Sequence, residues 1–359
     1  MKHIYLTPGP TELHPVIEPA LTYALNEKIF SWSHRSKQFD ELSQKTIKSL
    51  KELLNIPDSH SVFFVASGTE AMERVLESCV EKNSFHFVNG SFSARFFSIA
   101  KDLGKSPVKQ ESALGNGFDL RSIKIPKDTE LICMTHNETS TGFMLQVQEI
   151  EELKRSHPDK LLVVDMVSSA PYPDFDYNLI DCAFFSVQKC FGLPAGLGVM
   201  IVGPKCLKRS QELESKRIIT GSYHRFVELY EWSLKSQTPE TPNILAIYLL
   251  GTVLEDLLKS GIETIRTKIK DRASRLYSII EKTKFASVFV KNPVNRSDTV
   301  LCIDTGSNTE KLSQFLNSEG FIVGSGYGKF KDKHIRIANF PGTSDRDFEL
   351  FVKALESFS

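Results

Sequence analysis

A lysine and an aspartate, each closing an apolar run, are the residues of this 359-residue chain best suited to chemistry. Lys189 follows Ala183-Phe184-Phe185-Ser186-Val187-Gln188, and Asp165 follows Leu161-Leu162-Val163-Val164. Buried strands that deliver an amine and a carboxylate suit a heterocyclic cofactor with an aldehyde and a basic ring nitrogen. Pyridoxal phosphate is such a cofactor: the lysine condenses with its aldehyde, and the acid keeps its ring nitrogen protonated. Each residue alone has a plainer reading. A lysine at a strand end is usually solvated, and an aspartate there can cap the turn that follows. Agreement among further segments separates the two readings.

Ser67-Gly68-Thr69-Glu70 stands between a strand-like run and a helical pattern. Backbone N–H groups and hydroxyls at such a helix start can bind a phosphate. The same residues form an ordinary capping box, and the two roles are compatible. Asn89-Gly90-Ser91-Phe92 places an aromatic where it could stack on a flat ring, although core packing competes for one of 25 phenylalanines. Thr135-His136-Asn137-Glu138-Thr139-Ser140-Thr141-Gly142 is a dense polar turn, of the kind that lines a site or builds a turn. Gln188 sets an amide beside the lysine. All five segments put polar residues at carboxyl ends of strand-like runs, where open α/β sheets bind ligands.

The elements that must position these groups are short apolar runs alternating with helical patterns. Strand-like runs fall at 61–66, 85–88, 131–134, 161–164, 183–187 and 199–202, with helical patterns at 70–80, 94–103 and 147–155. That alternation predicts an α/β domain with a mostly parallel sheet buried on both faces. After Pro242 the pattern changes to long helices at 244–258 and 265–280, then strands at 287–290, 299–304 and 335–338, with helices at 310–319 and 345–358. This mixture predicts a smaller α+β domain with an antiparallel sheet.

Lysine plus arginine equals aspartate plus glutamate at 44 each, which argues against a nucleic-acid or anionic-membrane surface. The six cysteines show no Cys-x-x-Cys spacing, so neither a metal site nor a disulfide framework is expected. The start Met1-Lys2-His3-Ile4-Tyr5-Leu6 reaches Pro8 too soon for a signal-peptide core, and no apolar stretch approaches a membrane span. A cytoplasmic protein is expected.

From Thr7-Pro8-Gly9-Pro10-Thr11 to Arg336-Ile337, the sequence resembles the class V, fold type I pyridoxal-phosphate aminotransferases. The resemblance implies a large cofactor domain over 20–245 and a small domain over 246–359, with segment 1–19 packing near the latter. It implies that Lys189 carries the cofactor, that Asp165 pairs with the ring nitrogen, and that Ser67, Gly68, Thr69 and Gln188 bind the phosphate. Thr139 would lie near the ring oxygen, Val167 under the ring and Phe92 above it. Thr241, in Thr238-Pro239-Glu240-Thr241-Pro242, would reach the other subunit's phosphate in a homodimer with active sites at the interface.

Arg336 matches the family's carboxylate-binding arginine, a role that a planar guanidinium fills bidentately; a surface arginine on an edge strand is the plainer reading. Ser33-His34-Arg35-Ser36 resembles the segment that meets the distal anion of the substrate in phosphoserine aminotransferases, although similar His-Arg pairs occur elsewhere in the family. The expectation is transamination between O-phosphoserine and 2-oxoglutarate, giving 3-phosphohydroxypyruvate and glutamate. Thr7-Pro8-Gly9-Pro10 and Phe92 resemble the alternative alanine–glyoxylate and serine–pyruvate branch. Cysteine desulfuration would need an exposed nucleophilic cysteine, and Cys302 sits in a buried-looking strand. A non-catalytic relative would have lost Lys189 or Asp165, and no Gly-x-Gly-x-x-Gly supports a dinucleotide enzyme.

Overall fold

The computed structural model describes residues 3–358; Met1, Lys2 and Ser359, the outer ends of the expected terminal segments, lie outside the described residues. The chain opens with strand β1 (Ile4–Leu6) and helices α1 (Ile17–Asn26) and α2 (Lys37–Leu54). Alternation follows: β2 (Ser61–Val65), α3 (Gly68–Cys79), β3 (Ser84–Val88), α4 (Ser91–Asp102), then β4 (Val108–Glu111). Strand β5 (Leu131–Thr135) leads into the hairpin β6 (Asn137–Glu138) and β7 (Phe143–Met144), then α5 (Val147–Ser156). Next come β8 (Leu161–Asp165), β9 (Cys182–Ser186), β10 (Gly198–Val202), α6 (Pro204–Ser215) and α7 (Phe226–Ser233). The remainder runs α8 (Ile244–Ser260), α9 (Ile262–Lys282), β11 (Ser287–Val288), β12 (Val300–Asp304), α10 (Thr309–Ser318), β13 (Phe321–Ser325), β14 (His334–Ala338) and α11 (Asp345–Ser357).

Seven strands form one sheet in the order β2-β10-β9-β8-β5-β3-β4. All its pairings are parallel except those of β10, which runs antiparallel to both neighbours. Strict alternation shows that both faces are covered. Val62, Ile132, Met134, Leu162, Val164, Ala183 and Phe185 enter one core, while Phe63, Leu131, Cys133, Leu161, Val163, Cys182 and Phe184 enter the other. Strands buried on both sides are hydrophobic throughout, which is why these runs stand out in the sequence. The parallel direction places Val65, Thr135, Asp165 and Ser186 at one edge, and β10 starts there with Gly198 paired to both Val65 and Ser186. This is the α/β fold expected, with α/β alternation and a second, smaller sheet.

The second sheet has the order β1-β13-β14-β12-β11. It is antiparallel except that β1 pairs parallel with β13, bringing the first described residues onto the sheet formed by the last third of the chain. Its core joins Leu6, Ile303, Ile335 and Ile337 to Leu276 and Ile280 of α9 and to Phe351 and Leu355 of α11. The expected strand at 287–290 closes after Val288, because Phe289 bonds β12 outside the ladder and Pro293 opens a turn. Helices α2 and α8 lie side by side, with Gly251 so near Thr46 that a β-carbon there would fall 2.7 Å from Thr46 Oγ1. The turns preceding these two helices, which carry His34-Arg35 and Thr241, are thereby brought together.

Candidate active site

Lys189 lies three residues past β9 in the turn leading to β10, and only 8% of it is exposed. Its Nζ donates to the carbonyl of Pro8 at 2.5 Å. Gly9, at φ +116°, permits this approach: a β-carbon there would meet Nζ at 2.6 Å and the Lys189 stem closer still. Burial, and secondarily the positive charge of Arg336, pull the Lys189 amine down to about 8. An amine so placed is deprotonated far more readily than a solvated lysine, as a nucleophile or base requires.

Asp165 ends β8, the neighbour of β9, and is fully enclosed. One carboxylate oxygen accepts the Val167 N–H at 2.8 Å. Burial raises its pKa to about 7; the Val167 amide opposes this, Glu138 adds to it and Lys189 offsets it. Among the described residues no hydrogen bond engages the other oxygen. A buried carboxylate with an idle oxygen is suited to a cationic N–H donor, which would relieve its desolvation. Beside it, Ser168 Oγ binds Thr139 Oγ1 and Asn137 Nδ2, each at 2.8 Å, so Thr139 is fixed against the Asp165 turn.

The start of α3 lies at the same edge. Ser67 Oγ accepts the Glu70 N–H at 3.1 Å, and a Glu70 carboxylate oxygen accepts the Ala66 N–H at 2.6 Å. Gly68 N–H is taken by Ser186 Oγ at 2.7 Å. The exposed Thr69 and half-buried Ser67 therefore supply the open donors of this helix start. Gly68 also touches Val167, whose Cγ2 would stand 2.5 Å from an added β-carbon. Gln188 is half-buried next to Lys189.

Phe92 begins α4, with Lys189 Nζ 5.7 Å from its ring centroid. The start of α4 is closed by a buried acid. Glu138 accepts from the N–H groups of Phe92 (3.3 Å) and Ser93 (2.9 Å) and from the Ser93 and Ser140 hydroxyls. That leaves α3, not α4, as the helix start open to an anion. Phe92 also meets Tyr327 at 5.4 Å between centroids, and the Arg336 guanidinium lies over Tyr327 at 5.5 Å. Arg336 donates to Ser325 O at 2.8 Å and to Thr139 O at 3.3 Å, so β14 joins this cluster.

His34, Arg35 and Thr241 form a second group. Thr241 Oγ1 is 3.2 Å from His34 Nδ1, while Arg35 donates to the carbonyls of Thr238 (2.5 Å) and Pro239 (3.0 Å) and stacks on Trp232 at 3.8 Å. Among the described residues, no hydrogen bond or ion pair links this trio to Lys189, Asp165 or Arg336. Gly9, Glu138, Ser168, Ser186 and Tyr327 belong to the first cluster and escaped sequence reasoning. Their only signals were the prolines around Gly9, the glycines around Tyr327 and the density of the 135–142 turn.

The donors present fit pyridoxal phosphate: an enclosed amine, a buried acid with an idle oxygen, an aromatic face and an open helix start. A cleft of about 750 Å³ lined by Tyr172, Arg266, Lys270 and Asp298 lies apart and contains none of these groups. All six cysteines are buried, so none presents an exposed thiol for sulfur transfer, and burial pushes the Cys302 thiol up to about 12.

The Aminotransferase class-V family matches residues 7–329. A solved phosphoserine aminotransferase from Cytophaga hutchinsonii is 44% identical, with a TM-score of 0.97 over 99% of this chain and 98% of that one. The phosphoserine aminotransferase of Rhodococcus opacus is 26% identical over 355 residues, 97% of this chain and 93% of its own length. The solved ureidoglycine–glyoxylate aminotransferase of Bacillus subtilis, 22% identical with a TM-score of 0.84 over 99% of this chain and 92% of that one, shares the fold. The enclosed amine beside a buried acid and the match across most of the chain agree: the chain belongs to the class-V aminotransferases, which work with pyridoxal phosphate.

Proposed function

We propose that this aminotransferase moves the amino group of O-phosphoserine to 2-oxoglutarate, yielding 3-phosphohydroxypyruvate and glutamate. The observation that carries the reading is the separation of two cationic groups, Arg336 beside Lys189 and Arg35 on the turn before α2, which packs on the turn of Thr241. A substrate with an anion at each end needs both. The 44% identity to the Cytophaga enzyme supports the same substrate.

Bound among these residues, pyridoxal phosphate supplies an electron sink for the substrate's Cα. With the cofactor bound, Lys189 Nζ would serve as the base that takes the substrate's α-proton and carries it for return. Asp165 holds a proton on the ring nitrogen. Thr69 and Ser67 grip the phosphate, aided by Gln188 and the α3 start. Phe92 and Val167 would hold the cofactor ring, with Thr139 as a further polar contact. Arg336 binds the α-carboxylate in place of part of its contact with Thr139.

Because, among the described residues, no hydrogen bond or ion pair ties His34, Arg35 or Thr241 to their own chain's Lys189, we place them at the site of a second copy. The working unit is then a cytoplasmic homodimer whose sites are shared. Arg35→Ala is expected to lower kcat/KM for O-phosphoserine by about a hundredfold, the loss of a charge-assisted contact, and for alanine only slightly. Steady-state kinetics with both donors checks this. Equal losses would mean that Arg35 serves only the fold of the 238–241 turn.

A further inference from the structure

His224 is a buried histidine that the transamination chemistry does not use. Only 2% of its side chain is exposed, and its backbone is left-handed at φ 52°. Nδ1 lies 2.6 Å from one oxygen of Glu70, and Nε2 lies 2.8 Å from one oxygen of Glu240. A neutral imidazole donates from a single nitrogen and would turn a lone pair toward the second carboxylate. Nδ1 makes a hydrogen bond to Glu70, whereas Nε2 and the Glu240 oxygen stand at ion-pair distance without hydrogen-bond alignment, so it is the charge of an imidazolium that would hold the second acid. Tyr223 stacks on the ring at 3.8 Å, and Arg74 holds the Tyr223 carbonyl at 2.7 Å, so the 223–224 corner is fastened to the outer face of α3.

The two acids lead in different directions. Glu70 grips Ala66 N–H with its other oxygen, at the entry to the Ser67–Gly68–Thr69 helix start. Glu240 immediately precedes Thr241, in the turn that Arg35 fastens through Thr238 and Pro239. We propose that His224 is a positioning residue, a cationic clasp that holds the 238–241 turn against the start of α3 and so sets how firmly the cofactor phosphate is gripped. The inference rests on the phosphate roles proposed above for Thr69 and Thr241. In the shared-site dimer, each clasp ties a subunit's own phosphate cradle to the turn that reaches its partner's.

Burial alone would lower the His224 pKa, but its contacts with Glu240 and Glu70 overturn that and push it up to about 9. The groups facing the ring are Glu70, Glu240 and Tyr223, with Arg74 behind Tyr223. A histidine raised from an ordinary value near 6.5 keeps its clasp below that pH and loses it as pH climbs through about 9.

The test is cofactor retention by the holoenzyme in equilibrium dialysis, for wild type, Thr241→Ala, His224→Asn, Glu240→Gln and the Thr241→Ala/His224→Asn double variant. Asparagine tolerates the left-handed backbone but is uncharged and too short to span both acids. Thr241→Ala, His224→Asn and Glu240→Gln should each weaken retention about tenfold, on the scale of one lost polar contact, and the double variant should be no weaker than Thr241→Ala alone. The ratio of wild type to His224→Asn should shrink between pH 7 and pH 10; a constant ratio would mean a purely structural histidine. Unchanged retention in Thr241→Ala removes the phosphate role and the clasp with it. Weakening in Thr241→Ala with none in His224→Asn or Glu240→Gln overturns the clasp alone. Should His224→Asn not fold, Glu240→Gln, which leaves the His224–Glu70 pair intact, decides the matter.

Discussion

Lys189→Ala is expected to lower turnover by about ten-thousandfold or more, the upper range for a single positioned base. The loss is chemical, because among the described residues Lys189 is the amine that stands beside Asp165 and Phe92. Folding should survive: the variant gives up one hydrogen bond to Pro8, worth about 1 kcal/mol, together with the cost of enclosing an amine. A melting curve close to wild type, with activity partly restored by added methylamine, would separate a missing proton carrier from a damaged site. A purified variant that keeps a tenth of wild-type turnover would contradict the assignment.

Asp165→Asn should cost roughly a thousandfold in kcat with little change in KM, in line with removal of one preorganised charge from a reacting group. An amide cannot hold a proton on the ring nitrogen. The same substitution should stabilise the cofactor-free protein. Burial raises the Asp165 pKa to about 7, above the unfolded value near 4, so ionising it destabilises the empty fold. The penalty is absent below about pH 4, grows as pH rises to 7 and is constant above, and the asparagine variant escapes it. Cofactor-free Asp165→Asn should therefore melt higher than wild type at pH 8 and equally at pH 4. A lower melting temperature at pH 8 would mean that the carboxylate is stabilised by contacts other than its single bond to Val167.

What could be read from the sequence follows from how each residue is supported. Lys189 and Asp165 each end a run buried on both faces, and the parallel sheet carries such ends to one edge. Arg336 stood out within an apolar alternation that proved to be β14. Helix α2 was obscured because Ser43 and Thr46 occupy buried positions among Phe39, Leu50, Leu53 and Leu54. Strand β4 is exposed at all four residues and β1 is three residues long, so neither carries a burial pattern. Gly9 could not be understood without Lys189, 180 residues away, nor His224 without Glu70 and Glu240. His34, Arg35 and Thr241 entered through resemblance, and their meeting depends on α2 and α8 packing side by side.

The most direct measurement mixes the cofactor-loaded protein separately with O-phosphoserine, glutamate, alanine and serine, following the absorbance of the bound cofactor as its amino group is acquired. Rapid change with O-phosphoserine and glutamate, and slow or no change with alanine and serine, is the predicted result. Rapid change with alanine or serine and none with O-phosphoserine would contradict the proposed substrate and move the enzyme to the alanine–glyoxylate branch, with Lys189 and Asp165 unchanged in their roles.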